Sequence, residues 1–201
     1  MSQTIEAFTD DLCHRLAQRR PLNPSGYEPV YFLVYEPSRT LRMQEYCRSL
    51  AAKLRSDGHL VEEFNLFAEL KELLTKNEDW DAITEWDKEN PLEWQELQAT
   101  LSDIAEDREE GLAARLLTCL EKLHEKSKNE PLPPVLLVTG LEALHCFMRP
   151  GALENKLNGH FWYPTVFFYP GEKEGKTGLN FLGINGVDGN YRSEHLSVPA
   201  Y

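Results

Sequence analysis

Residues 170–178, PGEKEGKTG, contain Gly-Lys-Thr, a tripeptide that in nucleotide-hydrolysing proteins grips phosphate. That chemistry needs G-x-x-x-x-G-K-[ST] placed after a strand and opening a helix. Backbone N–H groups and the helix N-terminus then wrap the phosphates while the lysine offsets their charge. From Gly171 to Thr177 the chain reads G-x-x-x-G-K-T, one residue short, and it continues into GLNFLGI, which is strand-like. Glu172 and Glu174 stand where an anion would have to be welcomed. The segment therefore reads as a polar hairpin loop between the last two strands. The better place for a phosphate loop follows the first apolar run, at YEPSRTLRM, which has neither glycine nor lysine. A magnesium-binding aspartate is missing too, since VLLVTG ends in Thr-Gly. By these residues the chain is not an NTPase.

Other chemistry fares no better. Cys13-His14 and His145-Cys146 are adjacent pairs without C-x-x-C or H-x3-H spacing, and neighbouring side chains on a helix diverge, so no metal site is expected. No G-x-S-x-G turn presents a serine nucleophile, and Ser38 is explained as a helix cap. Cys146 beside His145 reads more simply as a core thiol. Neither a catalytic residue nor a cofactor is expected.

A few side chains are left over. Arg149 ends LHCFMRP, Tyr169 leaves the end of FFYPGE, and Asn190, Tyr191 and Arg192 lie in GNYRSEH. At the carboxyl ends of parallel strands, where ligand crevices form, Arg and Tyr could hold an anion or a partner's carboxylate. An arginine paired with the chain's own acids is the plainer alternative. Trp80, Trp86 and Trp94 are candidate partner-binding aromatics, because aromatic side chains commonly carry binding energy. Arg15, Arg19, Arg20, Arg39, Arg42, Arg48, Lys53 and Arg55 make a basic cluster, but acids are interspersed and no aromatic stacking pattern accompanies them. Direct nucleic-acid binding is the minority reading.

The elements that must position these residues alternate. A helical stripe over 3–20 is followed by a Pro-rich break at 21–29, then the buried strand VYFLVYE, a helix through Met43, Cys47, Leu50 and Leu54, and the strand HLVEEFNL. Residues 66–126 read as a helical, Trp-bearing, acidic insertion. VLLVTG, TVFFYPG and LNFLGING follow as strands, with a helical piece between the first two. Apolar strands separated by helices predict an α/β fold with a mainly parallel sheet covered on both sides, similar to a degenerate P-loop NTPase-like sheet. A single domain over 1–201 is expected, with a C-terminal tail at 197–201.

The net charge of −12 is local: residues 62–110 hold 17 acids and four bases, and the rest of the chain is close to neutral. No apolar run spans a bilayer, no secretory pattern opens the chain, and the four scattered cysteines suit a reducing cytoplasm.

LLVTGLEALHCFMR, PTVFFYPGEKEGKTGLNFLGI and GNYRSEHL together resemble the BrxB family of the BREX phage-defence systems, with FLVYEPSRTLRM fitting more loosely. The resemblance implies a cytoplasmic, non-catalytic component of a defence cassette. Such a component would bridge other subunits, a PglZ-like protein first and a BrxC-like ATPase second, in phage restriction and host DNA methylation. The alternative is a regulatory nucleotide- or anion-binding module using Arg149 and Arg192.

Overall fold

The structure is a computed structural model that describes residues 4–18, 28–175, 178–184, 186–187 and 193–199. Helix α1 (Ile5–Ala17) starts at Thr4, whose hydroxyl accepts the Ala7 N–H at 3.3 Å, and buries Phe8, Leu12 and Leu16 at helical spacing. It is shorter at both ends than the 3–20 expected. Strand β1 (Val30–Tyr35) is buried at all six positions, as a run of β-branched and aromatic residues between two covered faces should be. Because side chains alternate along a strand, Val30, Phe32 and Val34 enter one core while Tyr31, Leu33 and Tyr35 enter the other.

A 3-10 turn at Pro37–Arg39 leads into α2 (Thr40–Ser56), which turns Met43, Cys47, Leu50 and Leu54 inward. Strand β2 (Val61–Asn65) passes directly into α3 (Leu66–Thr75), with the Asn65 side chain accepting the Ala68 N–H at 3.0 Å. Three more helices follow: α4 (Trp80–Glu89), α5 (Trp94–Glu106) and α6 (Leu112–Lys126). Strand β3 (Val135–Thr139), a second 3-10 turn at Leu141–Leu144 and α7 (Pro150–Lys156) then lead to the hairpin of β4 (Thr165–Glu174) and β5 (Gly178–Phe181). The final strand is β6 (Glu194–Ser197).

The sheet order is β2-β3-β4-β1-β6. These five strands are parallel, and only β5 runs antiparallel, against β4. β1 lies against β4 from Val30↔Thr165 to Tyr35↔Pro170 and against β6 from Tyr31↔Glu194 to Val34↔Ser197. Right-handed crossovers then dictate the layers. The move from β1 out to β2 places α2, with α1, on one face, and the return through β3 and β4 places the later helices on the other.

Other sequence expectations change too. Ser38 caps no helix: it lies inside the 3-10 turn, and α2 starts after Arg39 without a side-chain cap. The PGEKEGKTG segment does form a hairpin, with Gly175 in the left-handed region at φ 64°, but it joins β4 to β5 and is followed by β6. The tail expected from residue 197 begins inside that sixth strand: Ser197 ends it, and the buried Val198 donates its N–H to the Val34 carbonyl at 2.9 Å.

Candidate functional site

β1 and β4 are neighbours whose chains leave toward opposite edges of the sheet, the arrangement at whose carboxyl ends ligand crevices commonly form. Where a phosphate loop would lie, the chain has Glu36, Pro37 and Ser38, and the Ser38 hydroxyl donates to the Glu36 carboxylate at 2.8 Å. A phosphate there would face a carboxylate and no glycine cradle. Arg39, the nearest cation in sequence, donates to the carbonyls of Val198 and Pro199 at 3.3 and 2.7 Å. The Glu142 Oε2 and Asn180 Oδ1 atoms are buried and have no hydrogen-bond partner among the described residues. Burial, and next the charge of Glu142, drive the Tyr35 phenol pKa upward. The unpartnered Glu142 carboxylate oxygen disfavours an anion at this edge. Sequence reasoning missed both acceptors, because one lies in a 3-10 turn and the other in a hairpin strand.

Glycine makes two close approaches here. At Gly171 a Cβ would stand 2.3 Å from the Asn180 carbonyl oxygen and 2.7 Å from the Tyr169 ring, so β5 can fold back only onto a glycine. Gly140 has φ 76°, and a Cβ there would meet Asn65 Oδ1 and the Phe67 nitrogen, each at 2.8 Å.

The sequence-derived candidates do not converge. Tyr169 is fully buried, edge-on to Phe32 at 5.4 Å and tilted against Phe181 at the same distance. Its ring is core and not a surface contact, because β5 folds back over the strand end that the sequence left open. Arg149 is exposed at the N-terminus of α7 and forms no ion pair with the described residues. Asn190, Tyr191 and Arg192 lie outside the described residues. Of the basic cluster, Arg15 pairs with Asp11 and Glu194, Lys53 with Asp10 and Arg55 with Glu63. Arg42 and Arg48 are exposed, and Arg19 and Arg20 lie outside the described residues.

No thiol is poised as a nucleophile. Cys146, read from the sequence as a core thiol, is exposed, because the turn after β3 carries it to the surface. Partial burial still raises it and Cys13, and burial pushes Cys47 up to about 12 and Cys119 up to about 11. Cys146 sits at φ 66°, and its carbonyl accepts from the Gln98 side chain, which ties the turn after β3 to α5. Among the described residues no group of three or more His, Cys, Asp or Glu is arranged to hold a metal ion, and no helix is long and apolar enough to cross a membrane.

The later helices offer more surface than chemistry. α4 buries none of its residues and α5 buries only Ala105, although both are amphipathic. Trp80 and Trp86 are half-buried, while Trp94 is 57% exposed and Leu92, just before it, 88%. Trp80 lines an apolar groove with Phe67, Leu70, Leu74, Ala143 and Phe147. Phe67 and Phe147 were not singled out from the sequence, because they reach the groove from separate parts of the chain. Trp162 was also passed over: it is 43% exposed and packs between His124 and His160.

These features define an α/β protein with a mostly parallel central sheet flanked by helices, one helical layer being only half-covered. The profile described as BREX protein BrxB matches residues 62–196, more than half of the chain. The chain belongs to the BrxB family and is a component of a BREX phage-defence system. Neither a curated protein nor a solved structure matches it.

Proposed function

We propose that this chain is a non-catalytic assembly subunit that joins other proteins of its BREX system for phage restriction and host DNA methylation. The observation that carries the reading is the α4–α5 pair, where amphipathic helices bury almost none of their residues, Trp94 and the preceding Leu92 are exposed, and Trp80, Ile83, Trp86 and Ile104 are only half-buried. Large aromatic side chains in such settings supply binding energy at low entropic cost. The raised thiol pKa values and the crevice without a phosphate loop agree with a protein that acts by contact. The sheet reads as one of nucleotide-binding type stripped of its phosphate loop, with β1 lying between β4 and β6 and Glu36-Pro37-Ser38 in the loop's place.

A PglZ-like protein is the first partner to test and a BrxC-like ATPase the second. The experiment is tagged co-purification from cells expressing the cassette, followed by size-exclusion chromatography. A stoichiometric complex is expected, and Trp94→Ala should weaken it while leaving the fold intact, since that ring is mostly in solvent. Elution of this chain alone, beside well-expressed partners, would remove the assembly role.

A further inference from the structure

We infer that the groove between α3, α4 and the turn after β3 receives a segment of a partner protein carrying bulky apolar side chains flanked by lysine or arginine. This deepens the assembly reading and rests on it. The groove encloses about 360 Å³ and is walled by Phe67, Leu74, Trp80 and Phe147, with Lys71 and Thr75 as its polar lining. Pockets that orient small polar ligands carry several convergent hydrogen-bonding groups. Here the wall offers almost nothing but apolar surface, which suits an apolar anchor. Helix α3 shows the same excess: Leu66, Leu70 and Leu73 satisfy its own core, yet Phe67 and Leu74 extend the stripe outward, and Phe67 remains 59% exposed. An amphipathic helix or extended segment would remove that surface from water.

Charge selects the flanks of that segment. Glu78, Asp79 and Asp81 surround Trp80 in the chain and Glu85 follows one turn later, and none of them forms an ion pair with the described residues. Their neighbours behave differently: Glu69 and Glu72 are held by Arg115 at 3.1 and 3.6 Å. Lys71 is the single cation in the groove lining, within a region of 17 acids and four bases. A docking segment with lysine or arginine beside its anchors meets this field favourably, whereas an acidic one is repelled.

The experiment uses the full chain in cells carrying the whole defence cassette, with a benzophenone-bearing phenylalanine placed at position 67 and, as control, at position 41. Leu41 is more exposed than Phe67 but lies on α2, on the opposite face. Irradiation and mass spectrometry of the adduct at 67 should identify a segment of another cassette protein with apolar residues between basic ones, and the control should not yield it. Phe67→Ser and Trp80→Ala should each weaken the complex at least tenfold with circular dichroism unchanged, and 0.5 M salt should weaken the parent complex. An adduct on an acidic or uncharged segment or on a second copy of this chain overturns the inference. So does the absence of any adduct at 67 while the complex still co-purifies; these results leave the assembly reading standing. Failure of the complex to form at all removes both.

Discussion

The two faces of the sheet are finished to different degrees. On one, α1 and α2 seat Leu12, Leu16, Leu50 and Leu54 against Tyr31, Leu33, Leu137 and Phe168, and several of their cations are tied to carboxylates. On the other, α3, α6 and α7 seal an equally apolar core, but α4 and α5 stand outside it with their aromatics half in water and most of their acids unpaired. Both faces supply stability. The second also keeps interaction surface in reserve, so folding and association can be perturbed separately there.

Substitutions can break or sharpen that contrast. Leu50→Ala on the first face and Leu120→Ala on the second, both fully enclosed, should each cost about 2–5 kcal/mol in urea unfolding. Trp86→Ala, on α4, should cost well below that; an equal loss would mean that α4 belongs to the cooperative core. Gly171→Ala should cost about 1–3 kcal/mol, because the methyl group has no room beneath the Asn180 carbonyl.

Next comes acid. His195, on β6, is held to about 4 by burial, with Lys173 adding to the effect, against an ordinary 6.5. Between those values the unfolded chain binds a proton that the folded one refuses. Stability should therefore be flat above about pH 6.5 and fall by at most about 1.4 kcal/mol per pH unit down toward pH 4. His195→Gln should flatten that slope. The smallest effect is expected at the rim of the first face, where Arg55→Ala removes an exposed pair with Glu63 and should change stability by about 0–1 kcal/mol.

Much of this was legible in the sequence where one local pattern decided the outcome. VYFLVY and VLLVT are short and apolar throughout, so they could only be strands covered on both faces, and the false phosphate loop betrayed itself by spacing and by what followed it. Where long-range pairing decided, local pattern fell short. EHLS carries no apolar run and becomes β6 only because β1 offers it an edge. Tyr169 looked like a strand-end residue in solvent until β5 folded over it. The tryptophans could be noted as unusual, but which of them would meet Phe67 and Phe147 depends on the turn after β3, which carries no periodic signal.

The position of β1 between β4 and β6 has a consequence for biosynthesis. The strand leaves the ribosome well before the segments that satisfy its two backbone edges, Thr165–Glu174 and Glu194–Ser197. Until then a nascent chain carries six consecutive apolar residues with N–H and C=O groups open on both sides. Such distant pairings close slowly and leave sticky intermediates. A translation pause before residue 165 should therefore favour aggregation.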